Sequence, residues 1–175
     1  VLAQAPQIAP PERWYAPQRL RFQHELLELF GIGPDQRIDA DEYPHLRAQT
    51  LVVPGPPAMT EKNPPWAVTF LRERLLPAAQ PLGPPAPVYV TRGPSANNRS
   101  VTNEPAVQAL LRERGFVVID PGTMSVLDQV RAFAAAPVVV APHGAALTNL
   151  MFMSPGAAVV ELFPAGCVLP DFWRL

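Results

Sequence analysis

Residues 138–161, VVVAPHGAALTNLMFMSPGAAVVE, constrain the fold more than any other stretch of this chain. Three consecutive valines make a run of strand length, and Pro142-His143-Gly144 ends it abruptly. Small residues follow that can open a helix close to another backbone. Ser154-Pro155-Gly156 makes a turn, and a second apolar run ends on a carboxylate, Glu161. Strand, ligand-shaped loop, short helix, strand is the repeating unit of nucleotide-binding α/β domains. A histidine at the carboxyl end of a buried strand is where such domains place chemistry.

The rest of the chain extends this unit upstream. The pattern predicts a strand over 88–91, a helix over 104–114 closed by Gly115, and a strand over 116–119. A helix over 125–135 follows, with Ser125 and Asp128 spaced as a capping box. Strands over 137–141 and 157–162 flank a helix over 145–153. This β-α-β-α-β-α-β order implies a parallel sheet with right-handed crossovers. Before it, residues 19–30 read as a helix ended by Gly31, residues 37–40 and 50–53 as short strands, and residues 6–17 as a proline-rich loop. The first residues, Val1-Leu2-Ala3, are expected to start inside a strand of something longer. Asn63-Pro64-Pro65 is a helix start, and the proline-rich residues 77–87 form a stiff connector. The expected organisation is therefore a partial N-terminal α/β lobe over 1–60, a helix and connector over 61–87, and a Rossmann-like lobe over 88–175.

Composition removes several function classes. Hydrophobic residues make up 48% of the 175, which suits a globular core rather than a disordered chain. A formal net charge of −1 lacks the basic surplus of a nucleic-acid binder. No apolar run reaches membrane-spanning length, and no basic-then-apolar leader opens the chain. One cysteine, Cys167, cannot pair internally, which favours a reducing compartment. The expected location is the cytoplasm or the inner face of a membrane. Twenty-four prolines, and a single lysine among many arginines, read as a high-GC coding bias.

In open parallel sheets ligands bind beyond the carboxyl ends of the strands. Arg92, Asp120 and His143 follow the first three strands and the fourth ends at Glu161, so four ionisable side chains are expected at one edge. Arg92 and Arg99 flank a polar loop, and planar paired donors suit phosphate oxygens; two solvated arginines are the plain alternative. Asn103 and Glu104 open a helix, where Asn103 caps and Glu104 complements the dipole or orients an arginine. His143 is placed to meet a phosphate together with the amides of Gly144 and Ala145; a histidine bonded to backbone in a tight turn is the alternative. Thr148 and Asn149 read as packing or loop-bracing groups. Asp39, Asp41, Glu42 and His45 resemble a metal cluster in composition, but they sit among turn-formers, and no metal is expected. Dinucleotide, P-loop and nucleophile-elbow fingerprints are missing from the sequence.

The segments VYVTR-GPSANN-RSVTNE, ERGFVVIDP and LDQVRAFAAAPVVVAPHGAALTNLMFMSPGAAVVEL together resemble the nucleotide-sugar-binding half of glycosyltransferase family 61. The matching positions are Arg92, Arg99, Asn103, Glu104, Gly115, Phe116, Gln129, Pro142, His143, Gly144, Ala145, Leu147, Thr148 and Asn149. Ala141 and Ala146 stand where the family more often has glycine, and the family's upstream lobe is largely missing. The resemblance implies a GT-B architecture, two α/β lobes facing a cleft, with the donor in the C-terminal lobe. It implies metal-independent, inverting transfer from a UDP-sugar to a glycan or polysaccharide acceptor in bacterial surface polysaccharide assembly, with no cofactor. On that reading Arg92 and Arg99 stabilise the diphosphate leaving group and His143 with the Gly144 and Ala145 amides adds donors. Asn103, Glu104, Asp120 and Asn149 line the donor site, and Glu161 accepts from ribose hydroxyls. The rivals are a nucleotide-binding lobe without catalysis and a His143-dependent hydrolase using Ser154 or Thr148.

Overall fold

The computed structural model describes residues 2–53, 55, 64–80, 83–92, 100–166, 168–173 and 175. Two compact units divide the chain, Val1–Phe70 and Leu71–Leu175.

In the first unit the described elements are α1 (Ala5–Ile8), β1 (Trp14–Ala16), α2 (Arg21–Leu29) and β2 (Arg37–Asp39). Strands β1 and β2 pair in parallel, Trp14 opposite Arg37 and Ala16 opposite Asp39. Helix α2 starts where the Gln23 side chain accepts from the Leu20 amide at 2.8 Å. It buries Leu27, and Gly31 follows at φ 74°, a left-handed position that glycine takes without steric cost. Three expectations fail here. Residues 2–4 form a turn rather than a strand, residues 6–17 contain α1 and β1 rather than a loop, and residues 51–53 carry no regular structure. Strand β1 sits among prolines with no valine run to mark it, and exposed Leu51 and Val53 show that apolar content alone does not make a strand. The helix α3 (Pro65–Leu75) spans the division between the units; Asn63, its expected cap, lies outside the described residues.

The second unit is a four-stranded parallel sheet in the order β4-β3-β5-β6, formed by β3 (Val88–Val90), β4 (Val117–Ile119), β5 (Val138–Pro142) and β6 (Ala158–Leu162). Helix α4 (Glu104–Glu113) links β3 to β4, and α5 (Val126–Ala135) links β4 to β5. Ser125 caps α5 by accepting from the Asp128 amide at 3.1 Å and donates back to the Asp128 carboxylate at 2.6 Å, so the capping pair forms as its spacing predicts. Between β5 and β6 the expected helix is wound as a 3-10 helix, Ala145–Phe152. The mixed α/β architecture with parallel sheets is the one the pattern implies.

Burial explains why this sheet is the firmer part. Val88, Tyr89 and Val90 are all buried, as a central strand covered on both faces must be. Val130 and Phe133 of α5, Val139 of β5 and Leu147 of the 3-10 helix complete the packing, each at 0% exposure. Burying each such side chain contributes about 1.5–3 kcal/mol. Arg72, in the last turn of α3, ties down the end of the 3-10 helix by donating to the carbonyls of Met151 and Met153.

Strand order also fixes where a ligand can lie. From β3 the chain steps to β4 on one side and then crosses back to β5 on the other. The topological switch point therefore falls between β3 and β5, whose carboxyl ends lead into Arg92 and His143.

Candidate functional site

His143 follows β5, and its amide stays in the sheet ladder, donating to the Leu162 carbonyl at 2.9 Å. Across the switch point Arg92 donates from Nη1 to the His143 carbonyl at 2.5 Å. One of five guanidinium N–H groups is spent on this clasp, which draws the two strand ends together. Gly144 makes the close approach possible. A Cβ built there would collide with the Arg92 guanidinium, and the backbone at φ 164° is extended, so the requirement for glycine is one of space rather than of conformation. Ala145 then opens the 3-10 helix from an exposed position.

The His143 ring is only 2% exposed. Its Nδ1 lies 2.6 Å from Glu161 Oε1, and its Nε2 lies 3.7 Å from Asp171 Oδ2. Phe163 stacks on one side of it at 5.2 Å between centroids, and Phe172 leans on it at 5.5 Å. A carboxylate oxygen only accepts, so the hydrogen of the short bond sits on Nδ1. Glu161, expected to face ribose hydroxyls, thus spends one oxygen on His143. The ring is bonded through Nδ1 inside the fold, its Nε2 is beyond hydrogen-bond distance of Asp171, and the Arg92 guanidinium reaches the His143 carbonyl beside it.

The other expected residues separate into those turned inward and those engaged by their own loops. Asn149 donates to Gln129 Oε1 at 3.0 Å and to the Ala146 carbonyl at 3.1 Å, while Gln129 Nε2 donates to the Pro121 carbonyl at 2.9 Å. That chain braces the 3-10 helix against α5 and the loop after β4. Asp120 holds this same loop, accepting from the Gly122 amide at 3.0 Å. Glu104 accepts from the Tyr89 hydroxyl at 3.0 Å. Asn103 precedes α4 without a side-chain capping bond, contrary to the cap expected of it; its carbonyl, not its side chain, receives the first helical amides. Arg99 lies outside the described residues.

Sequence reasoning missed Tyr89, Phe163, Asp171 and Phe172. Tyr89 is fully buried in the middle of β3, and its hydroxyl is pushed above its ordinary range first by burial and then by the hydrogen bond to Glu104. A tyrosine amid valines in a central strand needs a partner for its hydroxyl, which is the signal that could have found it. Asp171 and Phe172 lie beyond the last strand, where no periodicity marks them.

A second group of polar residues sits in the first unit. There an open cleft of about 740 Å³ is lined by His24, Glu28, Arg37, Asp39, Glu42 and His45, with Tyr43 beside them. Among the described residues no three His, Cys, Asp or Glu side chains converge on a cation-sized site. Among them, too, no helix is long and apolar enough to cross a membrane.

The chain is 34% identical over 107 residues to protein O-linked-mannose beta-1,4-N-acetylglucosaminyltransferase 2 of Bos taurus, an alignment covering 59% of this chain and 18% of that protein. It is 32% identical over 72 residues to xylan glycosyltransferase MUCI21 of Arabidopsis thaliana, covering 39% of this chain and 15% of that one. The chain thus aligns with less than a fifth of the length of either relative. The sequence model of the family Glycosyltransferase 61 matches residues 5–160, through both units and the whole Arg92–His143 clasp, and the chain belongs to glycosyltransferase family 61.

Proposed function

We propose that the second unit is the donor lobe of a GT-B-type glycosyltransferase that takes a UDP-sugar and passes the sugar, with inversion and without a metal ion, to a glycan or polysaccharide acceptor. The observation that carries this reading is the bond from Arg92 to the His143 carbonyl at the switch point. Two strand ends that flank the usual nucleotide crevice are clasped there by a guanidinium. The two relatives are named for transfer onto O-linked mannose and xylan, which supports a glycan acceptor.

In the reaction a base takes the proton of an acceptor hydroxyl as its oxygen attacks the anomeric carbon from the face opposite the leaving group. The carbon–oxygen bond to the nucleoside diphosphate breaks, and negative charge gathers on the departing phosphate. Fixed donors aimed at that charge lower the barrier. Arg92 supplies guanidinium donors from a position set by its bond to the His143 carbonyl. Arg99, further along the sequence, supplies a second cation on this reading, and the first amides of the 3-10 helix add neutral donors. Positive charge of this kind serves where other transferases use a cation.

A calorimetric titration of the chain with UDP, with and without EDTA, tests the reading beside Arg92→Ala. Saturable, EDTA-insensitive binding is expected. Loss of a charge-assisted contact of about 1.5–3 kcal/mol should weaken it roughly tenfold to a hundredfold in the variant. Absence of binding, or binding abolished by EDTA, would overturn the donor site. Binding with no transfer to any glycan acceptor would leave a non-catalytic nucleotide lobe.

A further inference from the structure

Among the described residues of the second unit, the His143 ring is buried between two carboxylates. His143 has Glu161 at 2.6 Å on one ring nitrogen and Asp171 at 3.7 Å on the other. The two carboxylates are not equivalent. Glu161 stands on β6, paired in register with Ala141 of β5, and its side chain is 10% exposed. Asp171 follows the last strand, is 37% exposed, and lies beyond hydrogen-bond reach of Nε2. One carboxylate is built into the sheet, and the other rests loosely against the ring.

We propose that Glu161 is a positioning residue for the donor diphosphate, acting through His143. It fixes the hydrogen on Nδ1, sets the plane of the ring, and leaves Nε2 as the nitrogen that meets an anionic oxygen of the ligand. Asp171, 3.7 Å from Nε2, competes with that oxygen for the same nitrogen. An imidazole that donates from both nitrogens carries a positive charge, and the sheet-borne carboxylate compensates it on the inner side. The same histidine reaches the front of the site by a second route: its carbonyl holds Arg92, so any turn of the His143 backbone moves the guanidinium. Outer partners of this sort orient a working imidazole in metal sites and catalytic triads alike.

This inference rests on the donor site proposed above, and the test separates the two. The full chain is titrated calorimetrically with UDP and with inorganic pyrophosphate, as wild type, as Glu161→Gln, as His143→Gln and as the double variant. Nitrogen-15 spectra of the His143 ring are recorded in parallel. Glu161→Gln should weaken both ligands by the same factor, about tenfold, and add nothing on the His143→Gln background. The Nδ1-bound proton of the wild-type ring should shift or vanish in Glu161→Gln, a change that a merely structural loss of packing does not produce.

Weaker UDP binding with unchanged pyrophosphate binding would assign Glu161 to the ribose and overturn the proposal. Additive losses in the double variant would overturn it as well. A wild type that binds neither ligand would remove the donor site itself. Should Glu161→Gln fail to fold, Asp171→Asn provides an independent test from a half-exposed position. Removing the competing carboxylate should tighten both ligands severalfold, and unchanged or weaker binding would overturn the proposal.

Discussion

The carboxyl edge of the second unit and the cleft of the first contain the same kinds of side chain, yet at the edge histidine, carboxylate and arginine are all held, whereas in the cleft it is Arg37 that is buried and bonded, to the Ile32 carbonyl. At the edge, Arg92, His143 and Glu161 are joined by bonds of 2.5 and 2.6 Å that run from one strand end to the next. In the cleft, His24, Glu42 and His45 are exposed, and the Glu28 side chain, 64% exposed, stands 3.7 Å from the Arg37 guanidinium. Holding a group at its working geometry before a ligand arrives is what makes an electrostatic site effective. Composition does not distinguish the two regions; burial and strand geometry do.

The severest challenge to this contrast is to disturb the edge without touching its charges. Gly144→Ala places a methyl group where the Arg92 guanidinium lies. The arginine tip can swing aside at little conformational cost, so the fold should survive. Its clasp on the His143 carbonyl cannot. UDP affinity should fall by about tenfold or more, close to the Arg92→Ala value, because both variants forfeit the same charge-assisted contact of about 1.5–3 kcal/mol. The expected signature is a weakened calorimetric isotherm with an unchanged circular dichroism spectrum. Affinity equal to wild type would show that the clasp does not set the position from which Arg92 acts.

A smaller effect concerns the sheet beneath the edge. The Tyr89 hydroxyl is held above its ordinary value of 10.0 by burial and by its bond to Glu104. The folded state therefore keeps a proton that the unfolded chain gives up as pH rises through about 10. The stabilisation is complete below that pH and is lost progressively above it, at no more than about 1.4 kcal/mol per pH unit for one proton. Tyr89→Phe should flatten this alkaline decline. At neutral pH it should cost about 0.5–1.5 kcal/mol for the lost hydrogen bond. Urea denaturation at neutral and alkaline pH checks both. Parallel declines in the two proteins would place the alkaline sensitivity elsewhere.

Much of the second unit is legible in the sequence because long-range order there follows from local pattern. Continuous valine runs at 138–140 and 159–160 mark strands of a parallel sheet, and Ser125 with Asp128 marks the start of α5. The ends of those strands then identify Arg92, His143 and Glu161 without reference to the fold's details. Which atoms those groups spend on one another is another matter. Glu161 to His143 is a contact between neighbouring strands at the sheet's end, and Asp171 reaches the ring from a segment with no period. Asn149 braces its loop as its sequence context suggests, but that its partner is Gln129 on α5 could not be read from spacing. The first unit reads poorly for a different reason. Its β1 (Trp14–Ala16) lies in a proline-rich stretch without the valine pairs that mark β3 and β4, and its residues 41–50 are exposed throughout.

The mildest prediction concerns a variant expected to leave the donor site alone. Glu42 lies in the first unit's cleft, where it acts locally: its hydrogen bond and its charge raise the Tyr43 hydroxyl above its ordinary range. Both residues are exposed, so water screens the pair and Glu42→Gln should leave stability at neutral pH unchanged. The Tyr43 hydroxyl should titrate earlier, visible as an earlier onset of tyrosinate absorbance that vanishes in Tyr43→Phe. UDP affinity should be unchanged. If Glu42→Gln weakened UDP as Gly144→Ala is expected to, exposed and loosely held side chains would be contributing as much as the clasped ones. Preorganisation would then not be what separates the two regions, and the donor site would have to extend beyond the sheet edge that defines it here.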